Sequence, residues 1–406
     1  MRIALVNDTF TRSMGYTENV LPQALVKLGH EVHVVAGNLT AYHASPDYWE
    51  VYEPFLGPGL ERLGVEEVNG FSLHRLDHRL LFGYPMLRGL ASALGGLAPD
   101  VVQTTSVATW LTIQVAISRL RQDFVFFTGA HQTPSVLPHE LVHGGRWTRT
   151  RLASDVRRAV AGRLVAQVTE QCFAASEACA DVAVRFYGLP KAKVEVSPIG
   201  SDTNRFTPPR NEMDLMRRQR MREELGFLDD DVVCIYTGRF TAAKDPLCLG
   251  RAIGRLQRAG ERFRGLFIGD GPQASEIAAE LGCVVQPFVQ WTELGQWYRA
   301  ADIGVWPRQE SVSMLDAAAC GLPIVASATM GALERIQGNG LTYEEGNPND
   351  LATVLAELRD PSVRAELGAR GVEKVRKYFS WDVIARKRAQ RYEEALERRD
   401  GRRPAT

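Results

Sequence analysis

The stretch "VVCIYTGRFTAAKDPLCLGRAI", residues 232–253, decides the fold. From Val232 to Thr237 it is apolar or β-branched without a charge. A run of that kind reads as a strand covered on both faces, which is the habit of parallel sheets. Gly238 then opens a loop flanked by Arg239 and Lys244, and Asp245-Pro246 reads as the N-cap and first residue of a helix. Two cations on a loop beside a helix start suit a diphosphate, Arg as a bidentate fork and Lys as a point charge. Solvated surface charges are the alternative reading of the same two residues.

Outward from this unit the alternation repeats. "RIALVN", "EVHVVA", "FSLHRL", "DVVQTT", "FVFFT" and "QCFAAS" are strand candidates in the first half, with helical patterns between them at Asn19–Leu28 and Met86–Leu97. "GLFIG", "CVVQPF", "IGVWP" and "PIVAS" continue the second half after a polar, Pro-containing pause near residue 200. Apolar strands alternating with helices imply an α/β chain of two Rossmann-like, doubly wound parallel-sheet domains facing each other across a cleft. The expected division is residues 1–196, a linker at 197–225, a second domain at 226–378, and a last helix from 379 that returns to the first domain.

Composition narrows the function. At 406 residues and 45% hydrophobic the chain can bury large cores. Lys+Arg 48 balances Asp+Glu 48, so no whole-chain field draws it to nucleic acid. "MRIALVNDTF" turns polar too early for a secretory signal, and no stretch reaches the roughly 18 apolar residues of a spanning helix. The six cysteines lack metal spacing, so reduced thiols in a cytoplasmic protein are expected.

Several further stretches carry chemistry or imitate it. In "MGYTEN", Gly15 sits between the first strand and helix, either facing a ligand or simply turning the chain. "FIGDGPQA" has the Gly269-x-Gly271 spacing of a dinucleotide turn, but no acid lies between Cys283 and Gln290 to hold a ribose, which disfavours NAD. "DDD" (229–231) precedes a strand, at the wrong end for ligands, and reads as a solvated turn. In "WPRQESVSMLDAAACGLPIV" (306–325), Ser313-x-x-Asp316 has a capping-box spacing. Glu310 lies in the loop after a strand, and the amides of Ser313, Met314 and Leu315 are expected to face the same place. Aromatics crowd residues 39–59, as a sugar or lipid platform or as a loop packed on its own domain. Residues 146–165 carry six arginines against Asp155. A solvated face is the default there, and weak, salt-sensitive contact with anionic lipid is the sharper reading.

Taken in order, these segments resemble the retaining glycosyltransferases of family 4, which have the two-Rossmann glycosyltransferase B fold. "GRFTAAK" is similar to that family's Gly-Arg-x(4)-Lys loop and "GDGP" to its Gly-Asp-Gly-Pro turn. "WYRAADIGVWP" with "LDAAACGLPIVAS" resembles its Tyr-x-x-Ala-Asp and Leu-Glu-Ala-x-Ala-x-Gly-x-Pro-Val-Val-Ala run. The first half fits through "LVKLGHEVHVV", "PDVVQTT" and "FFTGAHQ". Two departures stand out. The family's paired glutamates are eight apart, whereas Glu310 and Asp316 are six apart and the second is an aspartate. "PIGSDTNRF" has Ile-Gly-Ser-Asp where the family has Asn-Gly-Val-Asp.

The resemblance implies a sugar transferase using a nucleoside diphosphate sugar and an unidentified acceptor hydroxyl, with no metal or other cofactor. The second domain would hold the donor, and the first would bind the acceptor. His131, Arg239, Lys244 and Glu310 would be catalytic. Gly15, Gly238, Gly269, Gly271, Pro287, Ser311, Val312, Ser313 and Asp316 would complete the donor site. A nucleotide-sugar epimerase of the same fold and a non-catalytic sugar-binding relic are the alternatives. Expected surroundings are the cytoplasm, with peripheral contact at the inner membrane face.

Overall fold

A computed structural model describes residues 1–46, 48–81, 84–107, 109–132 and 160–401. The chain forms two compact units, Met1–Ile199 with Ile384–Thr406, and Gly200–Val383. In the first unit the strands are β1 (Arg2–Asn7), β2 (Glu31–Gly37), β3 (Gly64–Val68), β4 (Phe71–Leu76), a β5–β6 hairpin (His78–Leu81, Tyr84–Leu87), β7 (Val101–Thr104), β8 (Val125–Ala130), β9 (Gln171–Ala174) and β10 (Val194–Val196). The main sheet runs β10-β9-β8-β7-β1-β2-β4-β3, parallel except for β3, which pairs antiparallel with β4 at the edge. β1 is uncharged after Arg2 because it is covered on both sides: Ile3, Ala4 and Val6 have no exposed surface.

The second unit holds β11 (Val232–Thr237), β12 (Phe263–Ile268), β13 (Cys283–Gln286), β14 (Ile303–Trp306), β15 (Ile324–Ser327) and β16 (Gly340–Tyr343). They form an all-parallel sheet in the order β13-β12-β11-β14-β15-β16. Counted within the unit this is the 3-2-1-4-5-6 order of dinucleotide-type doubly wound folds. The helix Pro246–Arg258 packs on this core through Leu249, Ala252 and Ile253, all fully buried.

Four local expectations change. Met86–Leu97 is not one helix: Met86 and Leu87 end β6, and the helix is Leu90–Leu97. The Gln114 side chain accepts from Leu87 N–H at 3.0 Å and donates to its carbonyl at 2.8 Å, which holds Leu87 extended. Residues 200–225 belong to the second unit, where the helix Glu212–Glu224 is tied down by Asp302. Asp302 takes Arg218 at 2.6 Å, Arg222 at 3.0 Å and the Val233 amide at 2.8 Å. The Asp229–Asp231 turn is not simply solvated, since Asp231 is buried, accepts from Leu228 N–H and pairs with Arg264 at 3.1 Å. The final helix starts at Trp381 rather than 379, because Ser380 is extended and bridges to Ser201. All six cysteines are free; five are buried and Cys283 is half-buried.

From Ile384 onward the final helix, Trp381–Asp400, belongs to the first unit. Its Tyr392 has no exposed surface, sets its ring 4.8 Å from that of Phe127, and donates its hydroxyl to Gln103. Arg388 lies 4.9 Å over the Phe173 ring and donates to Ser197 Oγ at 3.1 Å. Deleting a fully buried aromatic costs about 3–5 kcal/mol, whereas losing one hydrogen bond costs about 1 kcal/mol. Tyr392→Ala should therefore lower the denaturation midpoint of the first unit sharply and Tyr392→Phe only slightly. Equal effects in urea titrations of the two variants would mean that the ring packing is not what fixes this helix.

Candidate active site

In the second unit the chain order reverses between β11 and β14, and ligands of such sheets sit beyond the strands' C-terminal ends at that reversal. The loop after β11 carries Gly238, Arg239 and Lys244, and the loop after β14 carries Glu310. Backbone contact with the loop after β12 fixes the first of these. Gly238 N–H donates to Ile268, Phe240 N–H to Asp270 at 2.8 Å, and Gln273 N–H to the Phe240 carbonyl. No side chain fits at the crossing. Gly269 has φ +147°, and a Cβ there would stand 1.9 Å from the Gly238 carbonyl oxygen. Gly271, also at positive φ, would press a Cβ on Phe240's backbone. Phe240 itself is fully buried and anchors the loop, leaving Arg239 exposed beside it.

The charged side chains converge electrostatically. Lys244 is half-buried, and burial pushes its amine below the usual lysine range; Glu310's charge opposes that shift and Arg239's adds to it. The loop after β14 is stapled to the loop after β11 by Arg308, which donates to the Ala242 carbonyl at 3.2 Å and pairs with Glu345 at 3.0 Å. Glu310 is half-buried, with Oε1 3.9 Å from where a Cβ on Gly331 would lie. Pro287 is exposed just past β13. Asp245 and Pro246 do open the helix, with Asp245 at φ 50° and no side-chain cap bond.

The capping-box spacing is not used as a cap. The helix is Ser313–Ala319 with Val312 at the N-cap position in helical geometry and no side-chain cap. The amides of Ser313, Met314 and Leu315 are spent locally, on Ser311 Oγ, the Ser311 carbonyl and the Val312 carbonyl. A tight turn closes on itself here, with the Ser311 and Ser313 hydroxyls 2.7 Å apart. Asp316 instead lies 5% exposed and accepts from Ser201 Oγ at 2.6 Å. Burial pushes its carboxyl up to about 7, against the pull of the Ser201 bond and with a further push from Asp202.

In the first unit His131 follows β8 directly and is half-buried. Burial, with Arg388's positive charge, pushes its imidazole down to about 4, so it is neutral near pH 7. Gly129 makes room for it: a Cβ there would lie 2.8 Å from the Thr105 carbonyl oxygen and 3.2 Å from His131 Nε2. Gly15 is half-buried in the turn before the helix Thr17–Lys27. Asp8 and Glu18, which flank that turn, were not anticipated as site residues, although Asp8's place directly after the first strand is a signal readable from sequence. Burial pushes Asp8 up to about 6 and Glu18 up to about 7. In the aromatic loop Tyr48 and Tyr52 are buried, while Trp49 is 66% exposed and Tyr42 41%. Of the arginine-rich stretch, residues 146–159 lie outside the described residues. Among the described residues no group of three His, Cys, Asp or Glu could hold a metal ion, and no helix is long and apolar enough to cross a membrane.

Known folds match this architecture. Sucrose-phosphate synthase of Thermosynechococcus elongatus aligns over 98% of this chain and 100% of its own at TM-score 0.69 and 18% identity. HepE of Anabaena, solved in complex with UDP, aligns over 97% and 100% at TM-score 0.68 and 16% identity. The fold is of the glycosyltransferase B type. In sequence, a model of glycosyl transferases group 1 matches residues 231–360, and one of glycosyltransferase family 4 matches residues 21–205. The chain belongs to this glycosyltransferase family. A D-inositol 3-phosphate glycosyltransferase of Xylanimonas cellulosilytica is 32% identical over 266 residues, 59% of this chain and 62% of that relative. One of Geodermatophilus obscurus is 31% identical over 297 residues, 67% of this chain and 62% of the relative. The matches thus span less than two thirds of these relatives' own lengths.

Asp316 makes a pH prediction. Its folded pKa, about 7, lies above the usual value of 3.8, so the folded state binds the proton more tightly than the unfolded chain. Its contribution to stability is complete below about pH 4 and is lost as pH rises through about 7. Asp316→Asn keeps the shape and cannot ionise, so its melting temperature should gain on the wild type between pH 5 and pH 8. Parallel melting profiles for the two proteins over that range would refute a titrating Asp316.

Proposed function

We propose that this chain is a retaining, metal-independent glycosyltransferase that moves a sugar from a nucleoside diphosphate sugar to an acceptor hydroxyl. The observation that carries this reading is the meeting of Arg239, Lys244 and Glu310 at the β11/β14 reversal, on loops held by backbone contacts. Arg239 and Lys244 face the diphosphate. Negative charge grows on it as the glycosidic C–O bond breaks, so cations fixed in advance lower the barrier as well as aiding binding. Glu310 accepts hydrogen bonds from hydroxyls of the donor sugar. Gly269 and Gly271 hold the loop after β12 against the loop that begins at Gly238, and the nucleotide lies beside these two loops with Pro287, Ser311, Val312 and Ser313 around it. Asp316, clamped by Ser201, shapes the floor of this site. Gly15 lies on the acceptor-binding unit, and His131, neutral at working pH, is a hydrogen-bonding group there.

As the acceptor oxygen bonds to the anomeric carbon, its proton passes to the departing phosphate oxygen, and the same face is used throughout. A uridine diphosphate hexose is the donor class we favour, since HepE has been solved with UDP and with UDP-glucose. The names of the sequence relatives favour transfer over epimerisation.

Lys244→Ala or Arg239→Ala should lower turnover about 10²–10³-fold, the usual cost of one preorganised electrostatic donor, with the melting temperature little changed. In the same assay a chelator should leave the wild-type rate intact. Near-normal turnover in both variants at saturating UDP-sugar would remove the diphosphate assignment, and a chelator loss reversed by magnesium would remove metal independence.

A further inference from the structure

Arg308 stands eight positions before Asp316, where the family's pattern has a glutamate. A guanidinium has no acceptor atom, so it cannot take a glutamate's part toward sugar hydroxyls. It bridges two loops instead. Its Nε lies 3.0 Å from Oε1 of Glu345, just past β16, and its Nη1 donates to the Ala242 carbonyl in the loop after β11 at 3.2 Å. Glu345 is fixed from the other side. Ser327, fully buried at the end of β15, donates its hydroxyl to Glu345 Oε2 at 3.0 Å, and Thr329 donates to the same oxygen. Ser327 Oγ accepts in turn from the Thr329 amide at 3.1 Å. Burial works to raise the Glu345 carboxyl, but the two hydroxyls and Arg308 outweigh it and hold it below the usual carboxylate range. Arg308 therefore meets an ionised acceptor whose other oxygen is already held.

Glu310 lies two residues beyond Arg308, and its loop is held at both ends. Tyr343 donates its hydroxyl to the Pro307 carbonyl at 2.7 Å, and Arg335 Nη1 donates to the Ser311 carbonyl at 3.0 Å. Neither of these ties involves the loop that carries Lys244, whereas the Arg308 bond to Ala242 does. Charge registers the same closeness. Burial lowers Lys244 and Glu310 opposes that shift; burial raises the adjacent Asp245, which Arg308 lowers and Glu345 raises. A half-exposed ion pair contributes little to stability. A misplacement of about 1 Å, by contrast, can cost an active site on the order of 10²-fold.

We propose that Glu345 is a positioning residue for the donor sugar: through Arg308 it sets the loop of Glu310 against the loop of Arg239 and Lys244, and it touches no ligand itself. The proposal rests on the transferase reading above and adds to it a residue outside the family motifs quoted from the sequence.

The sugar's share of donor binding is the readout. Calorimetry gives the Kd of UDP-glucose and of UDP for each protein, and the ratio of the first to the second isolates what Glu310 supplies. Glu310→Gln should raise that ratio about tenfold, the usual worth of a hydrogen bond to a charged group. Glu345→Ala and Arg308→Ala should each raise it about three- to tenfold, with UDP alone bound nearly as in the wild type and the melting temperature little changed. Glu345→Gln, which keeps an acceptor for Ser327 and Thr329, should move the ratio in the same direction. Glu345→Ala placed in the Glu310→Gln background should add nothing, because the two residues act in series. Glu344→Gln, which removes a neighbouring exposed carboxylate, should leave the ratio where it was. A ratio unmoved by Glu345→Ala, or by Glu345→Gln should the alanine variant not fold, would overturn the proposal. So would additive losses in the double variant, which would mean that Glu345 meets the sugar itself. A lowered melting temperature in Glu345→Gln with UDP and UDP-glucose weakened alike would overturn it too, as a purely structural role. Failure of UDP-glucose to bind the wild type refutes the donor reading and the proposal together, whereas wild-type binding with a flat ratio across the variants refutes the proposal alone.

Discussion

A parallel sheet cannot be closed by hairpins, so each strand must be followed by a crossover, and where strand order reverses two neighbouring crossovers part. The two candidate clusters described above depend on that constraint. The β11/β14 reversal places Arg239, Lys244 and Glu310 on adjacent loops, and the β1/β7 reversal places Asp8 and the tyrosines beside Gly15. Nothing in the side chains alone would gather them. What makes the gathering rigid is backbone against backbone: a Cβ at Gly269 would lie only 1.9 Å from the Gly238 oxygen and one at Gly271 2.7 Å from the Phe240 oxygen, so the loops after β11 and β12 can meet only because residues 269 and 271 are glycine. The chemistry is carried by long charged side chains, but their starting points are set by atoms that have no side chain.

The two reversals are chemically opposite. In the second unit the loop after β11 is cationic, and burial has lowered Lys244's affinity for its proton. In the first unit the corresponding groups are carboxyls that burial has made reluctant to ionise. Each set is partly desolvated before any ligand arrives, so a ligand of matching charge regains interaction energy that water no longer supplies.

Long-range order was legible in the sequence where it depended on continuous apolar runs. β1, β2, β4, β7, β8, β9 and β11–β15 all overlap quoted strand candidates, because each has a run of apolar or β-branched residues, continuous where both faces are covered and alternating in β4. Short or edge strands escaped. β3 reads "GVEEV", with two glutamates, and β10 is three residues long. The break at Leu87 was invisible because it is set by Gln114, 27 positions away. The cation loop was readable from local spacing, since Arg239 and Lys244 act on one loop. Of the carboxyl pair only Asp8 was readable, by its place directly after β1; Glu18 is linked to it by a charge interaction that local spacing does not show.

The two departures from the family's pattern, read separately in the sequence, turn out to be one feature. A serine stands at 201 where the family's linker has valine, and an aspartate stands at 316 where its helix has glutamate. Ser201 Oγ donates to Asp316 Oδ1 at 2.6 Å, in a place where the carboxyl is 5% exposed. Valine could not make that bond, and an aspartate buried opposite valine would lack this donor, a loss of about 1–3 kcal/mol. Ser201 is itself fixed by the chain: its N–H donates to Phe379 and its carbonyl accepts from Trp381 N–H. The Asp316 carboxyl is therefore tied to the two segments by which the chain enters and leaves the second unit, at Gly200 and Val383. A shorter acid held from behind cannot also reach forward as a free glutamate would. The shortened loop ahead of it, which leaves Glu310 six residues away, makes Glu310 the acid that faces the Arg239–Lys244 loop.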